Sequence, residues 1–328
     1  MNSDRDKQFE YFENEFKEIV KKHLNINFNI STQGSSRLDD WLSIKLIIPQ
    51  YNFALENIDY FEKPKSFYHF TNLRVLYSIL QEKAMRMYNL NKSNDPEEYK
   101  YASKILKSIN NPTILHLPYE SQLKTMREYT FILSSTLEEN IKSSSFWESN
   151  YVDQNTGVAI EFEILNDPQD WQYFYSSKVK YGQIEKFEII RDEIMALETK
   201  YKNHTLNVDI SPIISFHKNK IKWQHEKEFR IVTHFPNQYK EKIYQDYHHD
   251  EISKGRITKY IKLPIYTKNT SDFIKTKPLL KLKNLFFAKN FTVESDIFPR
   301  FVEKLNNYIH ESIGYNFKEF DLQNNKIQ

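Results

Sequence analysis

The sequence predicts an α+β protein: a mixed β-sheet with flanking helices, preceded by an N-terminal helical extension. Three observations point there. Residues 5 to 24 repeat Phe9, Phe12, Phe16, Ile19, Val20 and His23 at spacings of three and four among charges, which is the pattern of an amphipathic helix. From about residue 129 onward, short segments of aromatic and β-branched residues recur, as in sheet strands. The chain has 328 residues, 39% of them hydrophobic, with 24 Phe and 22 Tyr, enough to fill a sizeable core.

Taken in order, the first helix is followed by the polar loop NISTQGSSR. Ser35 or Ser36 is placed to cap a second helix through DDWLSIKLII that stops before Pro49. Residues 1–60 therefore read as a helical extension, and 61–328 as the α+β domain. FYHF reads as a short strand. The helix TNLRVLYSILQEK follows, with Thr71 as its N-cap and Leu73, Leu76, Tyr77 and Leu80 on its buried face. A strand AMRMYNL comes next, and Asn94-Asp95-Pro96 then turns the chain into a helix through Glu97 to Ser108. YTFILSST, TGVAIEFEI and SSKVKYG are strands, and EKFEIIRDEIMALETKYKN is a helix. EFRIVTHF, ITKYIKLPI and LKNLFFAKN are further strands, before a last helix from about Ile297 to Ile313 and a polar tail.

Composition excludes several functions. The 46 Lys plus Arg nearly cancel the 44 Asp plus Glu, so no whole-molecule field would hold the chain on nucleic acid or an anionic membrane. The absence of cysteine removes disulfides, thiol catalysis, Cys-type zinc clusters and iron–sulfur sites, and fits a reducing cytoplasm. No run approaches the roughly 18 apolar residues of a membrane-spanning helix, so a cytoplasmic protein is expected. The nearest two of the five glycines are Gly157 and Gly182, which rules out both the dinucleotide fingerprint G-x-G-x-x-G and the P-loop. Any nucleotide must be bound in another way.

Three places can carry chemistry. His69, in Tyr68-His69-Phe70-Thr71-Asn72, stands at a strand end, where a side chain is held rigidly with its tip in a cleft; a lone histidine among aromatics is also a common core residue. Tyr88 offers a ring for stacking on a flat ligand. Glu226 and Glu228, in a predicted strand, would point to one face while Lys227 points away. Two carboxylates so close repel, and can hold a proton or accept hydrogen bonds from sugar hydroxyls. The competing reading is a solvated edge of salt bridges among Glu226, Lys227, Glu228 and Arg230. Asp95 and Glu98 suit a metal but suit a helix start better. His248-His249-Asp250-Glu251 reads as a solvated turn.

The order of segments resembles a bacterial family catalogued as domain of unknown function 2971. Its marks stand here as Tyr68-His69-Phe70, Ile79-Leu80, Asn94-Asp95-Pro96-Glu97-Glu98, Leu133-Ser134-Ser135, Phe146-Trp147, Gly157 to Phe162, Val179-Lys180-Tyr181 and Trp223 to Arg230, over about residues 66 to 290. More loosely, the skeleton resembles the ADP-ribosyltransferase superfamily, especially DNA-modifying toxins. That resemblance implies a split sheet whose cleft binds NAD as substrate. In it, His69 bonds the adenosine ribose, Tyr88 stacks on nicotinamide, Ser134 or Ser135 braces the site, Glu228 polarises the nicotinamide ribose and Glu226 orients the acceptor. Tyr68, Thr71 and Arg230 complete the NAD-binding set. The helix near 185 to 203 would then be an insertion.

The implied function is an ADP-ribosyltransferase that modifies a nucleic acid or protein, or hydrolyses NAD, as a bacterial toxin or antiphage defence effector with an inhibitory or activating partner protein. A Glu228→Gln change would then abolish turnover with the melting temperature nearly intact. Two rival classes are a non-enzymatic nucleic-acid- or protein-binding module with a basic strip at Lys218, Lys220 and Lys222, and a metal-dependent nuclease using Asp95, Glu98, Glu161 or Glu163.

Overall fold

A computed structural model describes residues 2–24, 29–33, 43–47, 62–92, 127–147, 157–165, 171, 174–182, 185–201, 215–234, 248–253, 256–267, 278–288, 316–321 and 326–327. It mixes helices with a mostly antiparallel sheet, an α+β fold. The helices are α1 (Asn2–His23), α2 (Leu73–Glu82), α3 (Glu138–Ile141), α4 (Ser144–Trp147), α5 (Glu185–Lys200) and α6 (Lys220–Trp223). The strands of the first half are β1 (Asn29–Gln33), β2 (Ser43–Ile47), β3 (Phe67–Asn72), β4 (Ala84–Asn89), β5 (Thr130–Thr136) and β6 (Gly157–Leu165). Those that follow are β7 (Phe174–Lys178), β8 (Lys180–Tyr181), β9 (His217–Lys218), β10 (Glu228–His234), β11 (His248–Ser253), β12 (Arg256–Pro264), β13 (Leu279–Ala288), β14 (Asn316–Asp321) and β15 (Lys326–Ile327).

Most strands join one 11-stranded sheet in the order β11-β12-β4-β5-β3-β6-β13-β14-β15, with β10 pairing β5 and β7. Strand parity sorts the core onto two faces. Phe67, Leu133, Ile160, Phe162, Phe229 and Leu285 meet α2 on one face. Tyr68, Ile141, Trp147, Ala159 and Phe286 form a smaller cluster on the other. The first helix packs on α5, with Phe12 edge-on to Tyr201 at 5.4 Å and Lys200 paired with Glu15 at 2.6 Å.

Several expectations are corrected. Residues Ser43–Ile47 are a strand paired with Asn29–Gln33, not a helix; Ile44, Leu46 and Ile47, mostly β-branched, suit a pleated ladder better than a helix. The cap of α2 is Asn72, the last residue of β3, whose side chain accepts from the Val75 amide at 2.9 Å; Thr71, one residue earlier, stands in the ladder opposite Val158. On α2 the buried residues are Leu76, Ile79 and Leu80, while Tyr77 is exposed. The segment His248–Ser253 is an edge strand rather than a turn, and the polar tail carries β14 and β15. The helices expected at 97–108 and 297–313, with Asp95 and Glu98, lie outside the described residues. Replacing Asn72 by alanine should lower stability by about 1 kcal/mol, seen as an earlier urea midpoint; an unmoved midpoint would show that the cap contributes nothing.

Candidate functional site

The site lies where the sheet parts. Strand β5 pairs β10 along its whole length, from Glu228↔Thr136 to His234↔Thr130. On its other edge it meets β3 only at Tyr68↔Thr136 and β4 only at Tyr88↔Ile132 and Asn89↔Phe131. Leu133, Ser134 and Ser135 are left with no strand partner on that edge among the described residues. A cavity of about 810 Å³ opens there, bounded by β3, α2, β4, β5 and the turn entering β10.

His69 bridges the gap. Its Nδ1 lies 3.0 Å from the Ser134 carbonyl, which can only accept, so Nδ1 carries the hydrogen and Nε2 is the acceptor. Burial lowers the pKa of the ring, against an opposing contribution from the Ser134 bond, and favours the neutral imidazole. Parity separates the two serines: Ser134 is opposite Arg230, and Thr136 opposite Glu228, so these four share a face. Ser135 is opposite Phe229, on the face of the main core, and its buried Oγ makes no hydrogen bond.

The two glutamates converge by a route other than strand alternation. Residues Gln224–Glu226 form a 3₁₀ turn, Lys227 is left-handed at φ 43°, and only then does β10 begin at Glu228. The turn is braced by Asn140, whose amide donates to Thr136 Oγ1 at 2.6 Å and to the Glu226 carbonyl. Both carboxylates then face one ammonium: Lys218 Nζ is 2.9 Å from Glu226 Oε2 and 2.7 Å from Glu228 Oε2. Arg230 grips Glu228 with two bonds, Nε to Oε1 at 2.6 Å and the second guanidinium nitrogen to Oε2 at 3.0 Å, and also donates to the Ser215 carbonyl. Glu226, Glu228 and Lys218 are 7%, 5% and 6% exposed, and Arg230 is fully buried. Burial alone would raise the pKa of Glu228, but Arg230 and Lys218 outweigh it and hold the carboxyl down at about 2.

At the far end of the cavity, Tyr88 donates to Glu251 at 2.8 Å, and Arg86 donates to the same oxygen at 2.9 Å. Arg86 also pairs with Glu82 and lies 4.6 Å over the Tyr260 ring. Burial raises the pKa of the Tyr88 hydroxyl; Arg86 opposes the shift and Glu251 adds to it. The ring of Tyr88 is thereby fixed in the wall.

Of the residues singled out by sequence, Tyr68, His69, Tyr88, Ser134, Ser135, Glu226 and Glu228 line this one cavity. Tyr68 does so from a buried position, its ring edge-on to Phe286 at 5.9 Å and its hydroxyl bonded to Glu161. Thr71 and Arg230 are buried outside the lining: Thr71 stands in the β3–β6 ladder and Arg230 backs the cavity through Glu228. Sequence reasoning missed Asn140, and gave Lys218 to a basic strip and Glu251 to a solvated turn. Nothing local marks Lys218 or Asn140, whereas Glu251 sits in a stretch whose alternation allows a strand. Lys218 belongs to the carboxylate cluster, not to a solvated basic strip.

Among the described residues, no group of three or more His, Asp or Glu is placed to hold a metal ion, and no helix is long and apolar enough to cross a membrane. A model of the family described as "Protein of unknown function (DUF2971)" matches residues 146–231. That segment holds Lys218, both glutamates and Arg230, and supports the resemblance to this family; His69, Tyr88 and Ser134 precede it. No curated protein and no solved structure matches the chain.

Proposed function

We propose that the cleft binds NAD and that the chain cleaves its nicotinamide–ribose bond, passing the ADP-ribosyl group to a macromolecule, nucleic acid or protein, or to water. One observation carries this reading: an imidazole, a phenol, a serine and two carboxylates, distant in sequence, line a single cavity of about 810 Å³. That volume lies in the range of small-molecule and cofactor sites.

The chemistry suits the groups. When the bond between ribose C1′ and the pyridinium nitrogen breaks, the electron pair leaves with nicotinamide, and positive charge passes to the sugar. Glu228, kept ionised and held in place by Arg230, stabilises that charge without reorganising. The acceptor then attacks C1′ and gives its proton to a base, the role assigned to Glu226. His69, with Nε2 as acceptor, takes a ribose hydroxyl hydrogen, and Tyr88 stacks on the nicotinamide ring. A part in toxicity or antiphage defence, and an inhibitory or activating partner, follow by analogy with the resemblance alone.

Incubation with NAD labelled in its adenine half, alone and with cell lysate, tests the reading. Free nicotinamide should appear, with label either in free ADP-ribose or on nucleic acid or protein. Absence of nicotinamide in both incubations would overturn it.

A further inference from the structure

We propose that Lys218 is the positioning residue of the two-glutamate site: its ammonium holds Glu226 and Glu228 in one shared geometry and offsets the repulsion between them. As a statement about catalysis it rests on the NAD-cleaving reading above; as a statement about the two carboxylates it does not.

The argument starts from the turn. Glu226 is not in a ladder, so no strand geometry aims its carboxylate, and across the site it meets the Lys218 ammonium at 2.9 Å. Glu228 already has Arg230 on both oxygens, yet its Oε2 is 2.7 Å from the same ammonium. One nitrogen within 3 Å of two carboxylates offsets a repulsion that would otherwise drive a proton onto one of them.

Lys218 is itself anchored. Strand β9 runs parallel to β8, the Gly182 amide donates to the Lys218 carbonyl at 3.0 Å, and His217 rests edge-on against Phe187 of α5 at 4.8 Å. Gly182 has φ 74°, a conformation that favours glycine there. The ammonium also lies 5.2 Å over the Trp223 ring, which leads into the turn carrying Glu226. Among the described residues, Arg230 on β10 and Tyr181 on β8 also face the pair, and the Tyr181 hydroxyl accepts from the Glu228 amide at 3.0 Å. Arg230 grips Glu228 and the Ser215 carbonyl, and Lys218 is the cation seen on Glu226 and Glu228 together.

The test uses Lys218→Met and Lys218→Arg in the full chain. Lys218→Met should lower kcat for NAD about 100-fold, with KM changed less than about threefold. It should also move the acid limb of the pH–rate profile up by about one unit or more, as one carboxyl is released to take a proton. Lys218→Arg, which keeps the charge, should retain about a tenth or more of the rate and the wild-type acid limb. If Lys218→Met does not fold, Lys218→Gln takes its place.

Carbon-13 titration of the Glu226 and Glu228 carboxyls gives a readout independent of NAD. At least one should titrate at higher pH in the neutral variant. A neutral variant with the wild-type rate and acid limb overturns the proposal, and so does an arginine variant whose acid limb shifts like the neutral one. A wild-type protein inert toward NAD would remove the catalytic reading; the titration then decides, and unmoved carboxyls would overturn the assignment of Lys218.

Discussion

Glu228→Gln is expected to reduce nicotinamide release by about a thousandfold or more, because the neutral amide cannot stabilise charge developing on the ribose. It should also destabilise the fold, contrary to what the sequence suggests. Glu228 is the shared anion of Arg230 and Lys218, and its loss leaves two buried cations facing an amide, at a cost of about 3 kcal/mol. The two effects are separable by measuring nicotinamide release well below the lowered melting temperature, with circular dichroism confirming the fold. A folded variant keeping more than about a tenth of the wild-type rate would remove Glu228 from the chemistry.

The same residue sets an acid limit. Its pKa falls from an ordinary 4.5 to about 2 on folding, so the folded state releases this proton more readily than the unfolded chain. The resulting stabilisation is complete above about pH 4.5 and is lost as pH falls through about 2, amounting to about 3 kcal/mol. Urea midpoints measured from pH 6 to pH 2 should fall more steeply for the wild type than for Glu228→Gln. Parallel curves would show that the carboxylate is not held down by its partners.

Arg230→Met is expected to cost about 3–5 kcal/mol, the largest stability loss of any change considered, because it strips both guanidinium bonds from a buried carboxylate. The fully buried guanidinium supplies two bonds to Glu228 and one to the Ser215 carbonyl, tying β10 to the segment that leads into β9. Arg230→Lys should recover little of this, since an ammonium cannot reproduce the planar fork. Combining Arg230→Met with Glu228→Gln should cost less than the two single losses added, because the second change removes the charge whose bonds the first strips away. Strict additivity in chemical denaturation would show that the two residues are not coupled.

Some of this was legible from residue order. The strands FYHF, AMRMYNL, YTFILSST and GVAIEFEI announce themselves by apolar alternation and β-branching, and all four bound or support the cleft. The Glu228–Arg230 pair was also within reach, since positions two apart in a strand share a face. By contrast, the strand over Ser43–Ile47 was hidden because a short apolar run fits either period. The choice between Thr71 and Asn72 as cap turned on one residue of strand extension, below what local pattern resolves. The helix at Glu185–Lys200 reads in sequence only as an insertion, yet in the fold it supports the strand that carries Lys218.

By itself, then, the sequence determined the α+β class, most strands near the site, the exclusion of glycine-rich nucleotide loops and the identity of His69, Tyr88 and the two glutamates as candidates. Only the tertiary structure decided that Ser134 rather than Ser135 shares a face with Glu228, that a left-handed Lys227 rather than strand alternation joins the glutamates, and that Lys218 lies between them. The physical reason is range. Hydrophobic period and turn chemistry act over a few neighbouring residues, whereas strand parity across a ladder and the pairing of buried charges depend on segments that meet only when the sheet closes.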